Sequence, residues 1–276
     1  MVMKWTEEAE AAIQKVPFFV RKKVRKRVEG EAAKAGKNQV TLAGVKSTQA
    51  RFLSKMSSEI KGYQVETCFG SGGCPNRVHS GDGLLEKIET LLKEADLLSL
   101  LKERVKGDLK FHHEFRVAIA ECPNACSQPQ IKGVGIIAAA LPRVTEAPCT
   151  GCGACVTACK ENAIELAGEP ELSRIAFDYC LMCGQCIQAC PSRTLMEESK
   201  GYRVQLGGRL GRHPRLAMEM PGIYTEGEVL AILGNCIRFF KERSLHGERF
   251  SHLLTEADFQ QMVPCREALY KGEPSP

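Results

Sequence analysis

The spacing of its cysteines constrains this chain more than any other feature. There are fourteen in 276 residues. Cys149, Cys152, Cys155 and Cys159 follow C-x2-C-x2-C-x3-C, and Cys180, Cys183, Cys186 and Cys190 repeat that spacing 31 residues later, ending in Cys-Pro at Pro191. A disulfide needs separated partners that meet at a fixed geometry, which neighbours two or three residues apart do not offer. Thiolates converging on metal centres fit these runs. Zinc is the simplest alternative metal, but it prefers paired C-x2-C ligands from separated loops.

The doubled run is the pattern of bacterial ferredoxins with two [4Fe–4S] clusters, in which the fourth cysteine of each run ligates the other cluster. The pattern assigns Cys149, Cys152, Cys155 and Cys190 to one centre, and Cys180, Cys183, Cys186 and Cys159 to the other. Gly151, Gly153 and Gly184 let the backbone approach closely, leaving N–H groups to face the sulfides and raise the reduction potential. Lys160 stands where the first run would ordinarily carry proline, and a cation there is expected to favour the reduced form.

Four further cysteines follow a different rule. Cys68 and Cys74 are separated by five residues in "TCFGSGGCPNR", and Cys122 and Cys126 by three in "ECPNACSQPQIKGVGIIA". C-x5-C followed by C-x3-C resembles the siroheme-dependent sulfite and nitrite reductases. The segments "GYRVQLGGRLGRHPR" (201–215), "PGIYTEGEVL" (221–230) and "GERFSHLL" (247–254) resemble that family's C-terminal return. The resemblance implies a third [4Fe–4S] cluster on Cys68, Cys74, Cys122 and Cys126, with Cys126 also bridging to siroheme iron. A ferredoxin module placed after C-x3-C is similar to the dissimilatory and small anaerobic members. Residues 5–29, "WTEEAEAAIQKVPFFVRKKVRKRVE", resemble the small C-terminal module of the light-independent protochlorophyllide reductase B subunit.

The expected fold class is α+β. It comprises a helical module (1–40), a sulfite-reductase-like domain in two pieces (41–144 and 201–265), an inserted ferredoxin-like domain (145–200) and a tail (266–276). Hydrophobic periodicity predicts helix over 5–35 with a break at Pro17, and a second helical stretch over 82–106. Strands are expected at 39–45, 115–122, 133–141 and 202–206 from β-branched runs bounded by Gly or Pro. Thr225 and Glu228 predict a capping box opening a helix over 225–244.

Siroheme carries many carboxylates and its substrate is an anion, so the resemblance implies cations that offset desolvated negative charge. Cofactor-binding candidates are Arg51, Arg77, Arg209 and Arg212 beside Cys126, with Lys61 and Arg215 also in view. Catalytic candidates are Arg116, Lys110 and His113, which would polarise S–O bonds and deliver protons. Glu114 and Glu121 depart from the family pattern, and a carboxylate at position 114 would repel the anion. Two functions stay open. One is a small sulfite or nitrite reductase fed by a low-potential electron donor protein. The other is a non-catalytic electron-transfer or tetrapyrrole-handling protein.

Net charge is +5, with "RKKVRKR" at 21–27 either a docking surface for an anionic partner or a solvated helix face. That run has no interleaved aromatics and belongs to no reading-domain motif, so nucleic acid is not an expected partner. The longest apolar stretch, "VGIIAAAL" (134–141), is too short for a membrane span. The N-terminus lacks a secretory pattern, and a cytoplasmic location is expected. Oligomerisation is left open. Cys236, among Leu233, Ile237 and Phe240, reads as a buried core thiol, and Cys265 has no assigned role.

Overall fold

The computed structural model of the chain describes residues 3–168 and 172–263, which form two compact units. Cys265 and the tail lie outside the described residues.

The first unit runs to Ile60 and includes Val105–Phe111. It contains β1 (Lys4–Trp5), α1 (Glu7–Gln14), α2 (Phe18–Lys34), β2 (Gln39–Val40) and α3 (Leu42–Ser58). Thr6 caps α1 by accepting the Ala9 N–H at 3.3 Å, and Pro17, which cannot continue a helix, becomes the N-cap of α2. The strand expected over 39–45 shrinks to Gln39–Val40, paired in parallel with Lys4–Trp5. The Thr41 side chain accepts the Gly44 N–H at 3.3 Å, and a β-branched residue acting in this way as a helix cap misled the periodicity. Because α3 packs on α1 and α2, the helical unit extends past the boundary drawn at residue 40 from the sequence. Ala9, Val28, Val40 and Val45 form its core, with Trp5 against it.

The second unit is built on a five-stranded mixed sheet of order β3-β4-β5-β8-β9. Between β3 (Tyr63–Thr67) and its parallel neighbour β4 (Phe115–Ala120) come α4 (Asp82–Glu94) and α5 (Leu97–Arg104). The single helical stretch expected over 82–106 breaks at Asp96, whose φ of 45° leaves the helical region. β5 (Val134–Val144) continues the parallel set, and it then pairs antiparallel with β8 (Leu195–Leu206). Both strands are longer than the sequence indicated, with a register shift at Leu141/Pro142. Proline lacks a ladder donor and is tolerated at such irregularities.

Between them lie α6 (Ala154–Ala158), the hairpin β6 (Ile164–Ala167) and β7 (Leu172–Ile175), and α7 (Gln185–Ala189). After β9 (Met218–Glu219), helices α8 (Glu226–Arg243), α9 (Phe250–Leu253) and α10 (Glu256–Met262) close the chain. The capping box of Thr225 and Glu228 opens α8 as expected. β4 is buried along nearly all its length, as expected for a parallel strand covered on both faces. Phe115 stacks on Phe240 of α8 and Phe250 of α9 at ring separations of 5.4 and 5.2 Å. Cys236 is fully buried on α8, so the core-thiol expectation holds. No helix among the described residues is long and apolar enough to cross a membrane.

Candidate functional site

The two ferredoxin-like runs repeat in backbone conformation as well as in sequence. Gly151 and Met182 take φ of 66° and 57°, Gly153 and Gly184 take 69° and 71°, and Asn162 and Arg193 take 52° and 57°. Each pair is offset by the repeat length. Met182, Asn162 and Arg193 hold a left-handed conformation that L side chains disfavour, strain of a kind that persists where the surrounding structure imposes it. Gly153 and Gly184 are the N-caps of α6 and α7, and Cys155 and Cys186 are buried on those helices.

Electrostatic coupling sorts the thiols into groups. Burial, together with Cys180, Cys183 and Cys159, pushes Cys186 up to about 12. Burial also raises Cys180, with Cys183 and Cys159 adding to it. Cys152 is lowered by the Ala154 N–H and the Thr150 side chain, and the thiol it feels is Cys190. Burial of Cys190 opposes ionisation, but N–H groups of Leu195, Ser192 and Thr194 and the Ser192 hydroxyl outweigh it, and its pKa is lowered. Thus Cys159 acts electrostatically on Cys180 and Cys186 of the second run, and Cys190 on Cys152 of the first. Backbone N–H groups point at sulfur: Ala163 at Cys159 (3.3 Å), Met182 at Cys180 (3.4 Å) and Leu195 at Cys190 (3.4 Å). Such bonds stabilise thiolates and tune cluster potentials. Among the described residues, no three His, Cys, Asp or Glu side chains converge as ligands of a single ion would. A cubane asks for a wider arrangement, with one thiolate at each iron.

Four of the six remaining cysteines come from loops at the carboxyl ends of two adjacent parallel strands, the usual place for a site in open α/β sheets. Cys68 follows β3 and Cys122 follows β4. Burial raises Cys122, and Cys74, Cys68 and Cys126 raise it further, so these four form one electrostatic group. The Glu121 N–H donates to Cys68 Sγ at 3.3 Å. Ala125 (φ 54°) and Gln128 (φ 56°) are left-handed on either side of Cys126, and Ser127 Oγ pins the loop to Ile119 O at 2.8 Å. Cys126 itself is exposed.

The two acids that depart from the family pattern have structural roles. Glu121 is buried, and its Oε1 accepts the Gly81 N–H at 3.0 Å. A Cβ on Gly70 would lie 1.9 Å from Glu121 Oε2, so glycine there makes room for the carboxylate. Glu121 therefore ties the Cys68–Cys74 loop to the Cys122 loop. Glu114 is also buried, with Oε1 taking the Lys61 N–H at 2.9 Å. Burial holds its carboxyl above the ordinary range, opposed by the N–H groups of Lys61 and Gly62. The expectation that Glu114 faces and repels an anion is corrected, because the strand start needs its carboxylate as an acceptor.

The cationic candidates are placed unevenly. Arg77 is exposed, and its N–H closes a turn onto Cys74 O. Arg116, opposite Gln64 of β3, stands about 20 Å along β4 from Cys122 at ~3.3 Å per residue. His113 is half-buried and stacks edge-on against His112 at 4.2 Å. Lys110 and Arg51 belong to the first unit, where Arg51 pairs with Glu31 at 2.7 Å. Arg209 donates to His213 O (2.9 Å) and Ser251 O (2.5 Å), and Arg215 to Gly207 O (3.0 Å), Ser251 O and Leu254 O. Arg212 is exposed on the same loop. Burial and the cations Arg209, Arg249, Arg215 and His213 lower His252, so positive charge accumulates around α9. This loop adjoins the Cys126 segment, since the Ala217 N–H donates to Gln130 O at 2.8 Å. In the 21–27 run, Arg25 pairs with Glu10 and lies 4.4 Å over Trp5, and Arg21 binds Gln14 and Val16. Lys22, Lys23, Lys26 and Arg27 are exposed.

Sequence reasoning passed over Asn76 and Asn124. They line one cavity with Cys122 and with Cys159, Cys180, Cys183 and Cys186. The signal was present, because "CPN" occurs at both 74–76 and 122–124. His79 was also missed. Its ring nitrogens lie 2.8 Å from Gly201 O and 3.2 Å from Ser80 O, and the ring packs edge-on against Tyr202.

The chain is similar to known proteins over two separate stretches. The family described as "Nitrite and sulphite reductase 4Fe-4S domain" matches residues 62–270, and "Proto-chlorophyllide reductase 57 kD subunit" matches residues 5–48. The coenzyme F420-dependent sulfite reductase of Methanocaldococcus jannaschii is 37% identical over 50% of this chain and 21% of its own length. The C subunit of the anaerobic sulfite reductase of Salmonella typhimurium is 29% identical over 72% of this chain and 53% of its own length. The chain thus spans about a fifth of the first relative and about half of the second. The B subunit of the light-independent protochlorophyllide reductase of Chlorobium luteolum is 55% identical over 40 residues, 14% of this chain and 8% of its own length.

Proposed function

Because the chain belongs to the nitrite and sulphite reductase 4Fe-4S domain family, we propose that it is a siroheme-type oxidoreductase wired through three [4Fe–4S] clusters. The observation that carries this reading is the grouping of Cys122 with Cys68, Cys74 and Cys126, from loops at the carboxyl ends of neighbouring strands. Cys149, Cys152, Cys155 and Cys190 would hold a second cluster, and Cys180, Cys183, Cys186 and Cys159 a third. Siroheme, when bound, supplies the iron at which sulfite or nitrite is reduced by six electrons.

The chain's own residues do the rest. Cys126 is exposed, so its sulfur would be open to a second metal. The cation-rich loop of Arg209, Arg212 and Arg215, with Arg249 beside it, offsets carboxylates brought out of water. Arg209 and Arg215 are braced by backbone carbonyls, so they offer charge from fixed positions. The inward carboxylate of Glu114 removes the objection that this position would repel an anion. A low-potential donor protein would supply the electrons.

Anaerobic purification with reconstitution tests this. Siroheme absorption bands, [4Fe–4S] signals and reduction of sulfite or nitrite by a reduced viologen dye are expected, and Cys126→Ala should abolish the reduction. Clusters without any tetrapyrrole band, and no turnover after siroheme is supplied, would refute the reductase and leave an electron carrier.

A further inference from the structure

The cationic helix α2 has no part in the cluster chemistry, and its charges are sorted by type. Arg21 donates to Gln14 and to Val16 O, Arg25 pairs with Glu10 and Glu29 and lies over Trp5, and Arg27 lies 4.7 Å over the Phe52 ring. The arginines are thus engaged within the first unit. Lys22, Lys23, Lys26 and Lys34 are exposed. Both carboxylates of α2 are engaged elsewhere. Glu29 also takes the Trp5 Nε1–H at 2.9 Å, and Glu31 pairs with Arg51 and takes the Thr48 hydroxyl at 2.9 Å. The lysine face is therefore not offset by an acid of its own helix.

Two phenylalanines lead that face. Phe18 and Phe19, in the first turn of α2, are 82% and 75% exposed and stand edge-on to each other with ring centroids 5.7 Å apart. At 3.6 residues per turn, positions 18, 19, 22, 23, 26 and 34 fall within about 160° of arc and along about 24 Å of the helix. Two large apolar rings in water favour any partner that covers them. Protein interfaces are enriched in arginine and depleted in lysine, whereas here the arginines turn inward and the lysines outward. Lysine is a point charge on a flexible stem, without the directional fork of arginine, and it suits a surface of diffuse negative charge. Exposed phenylalanine together with lysine is the composition of a helix that lies in a bilayer interface. An acidic protein surface would satisfy the lysines and leave the rings in water.

We propose that this face of α2 docks on a bilayer surface rich in anionic lipids. Phe18 and Phe19 enter the boundary between headgroups and acyl chains, and Lys22, Lys23, Lys26 and Lys34 lie over the headgroups. The chain is then held at the membrane peripherally and reversibly, by charge and two rings, without a spanning segment. This goes beyond the reductase reading and holds whether or not sulfite is turned over.

The test sediments the full chain, purified anaerobically, with vesicles of phosphatidylcholine alone and of phosphatidylcholine with about one third phosphatidylglycerol. Binding to the mixed vesicles that weakens with added salt is expected, with none to phosphatidylcholine alone. Each cation at an anionic bilayer adds roughly a fivefold gain in partition. Lys22→Gln, Lys23→Gln, Lys26→Gln and Lys34→Gln combined should therefore weaken binding on the order of several hundredfold. The four corresponding Lys→Arg changes should retain it. Phe18→Ser with Phe19→Ser should weaken binding about tenfold or more and keep its salt dependence. All six side chains are exposed, so circular dichroism should be unchanged, and the phenylalanine pair decides the matter if the lysine variant fails to fold. No binding to the mixed vesicles, equal binding to both vesicle types, or undiminished binding by the Gln or Ser variants would overturn the docking. Retention on immobilised RNA or polyglutamate with none on vesicles would overturn it too, and would assign the face to a polyanion.

Discussion

Gly153 and Gly184 occupy equivalent positions in the repeat and have almost the same φ, 69° and 71°. Placing alanine at either forces an L side chain into the left-handed region, at roughly 1–2 kcal/mol. Their surroundings differ. A Cβ at Gly153 meets nothing within 4 Å, whereas a Cβ at Gly184 lies 3.2 Å from the Ala140 Cβ. Crowding at that site adds about 1 kcal/mol, the low end for overpacking. Gly153→Ala should therefore lower Tm by about 2–8 °C, and Gly184→Ala by a further ~2–4 °C, at roughly 2–4 °C per kcal/mol for a unit of this size. The excess should vanish in Gly184→Ala combined with Ala140→Gly, once the cost of Ala140→Gly alone is subtracted in a double-mutant cycle. Anaerobic thermal unfolding gives these values, and the half-life of iron release to a chelator provides a second readout that does not need reversibility. Equal losses for the two alanines, or no coupling to Ala140, would refute the docking of the second run on β5.

Removing the acceptor at position 114 should matter more than its charge. Glu114→Ala strands the Lys61 N–H and should cost about 1–3 kcal/mol, measured by anaerobic denaturation. Glu114 is held above the ordinary carboxylate range in the fold, so the folded state keeps a proton that the unfolded chain releases. The stability from this group is complete below the unfolded pKa and is lost as pH rises through the folded one. Glu114→Gln should flatten that component on the alkaline side of the ordinary carboxylate range, and an unchanged pH slope would count against it. Thr225→Ala removes the side-chain half of the α8 capping box and leaves the Thr225 N–H bond to Glu228 in place, and should cost about 1 kcal/mol in thermal unfolding. Cys236→Ala should leave iron content unchanged while lowering stability, because this thiol is buried core, and iron loss would show it to be a ligand.

Much of the arrangement was legible because metal-ligand spacing is a local property. Two identical cysteine runs announce a doubled unit, and the structure repeats their backbone down to the left-handed residues at the same offset. The core strands around Phe115 and Val134 were readable from their apolar, β-branched runs, and the Thr225–Glu228 box from its spacing. Features set by tertiary contacts were not readable. The helix α3 hid behind Val40, Thr41 and Val45, which look like strand residues until the Thr41 cap is seen. Nothing local reveals that Glu114 faces a backbone N–H, or that Glu121 fills the space left by Gly70. The cation list illustrates the same limit. Arg51 and Arg209 read alike in sequence, yet one pairs with Glu31 and the other is braced beside the segment that follows Cys126. The difference between the two ferredoxin-like runs is tertiary too, since it depends on a strand that ends before either run begins.

The most direct measurement is iron and acid-labile sulfide per chain after anaerobic reconstitution, with zinc determined on the same sample. Three cubanes on twelve cysteines predict about twelve of each and negligible zinc. Stoichiometric zinc, or about eight irons with the C-x5-C/C-x3-C thiols still open to alkylation, would contradict the account.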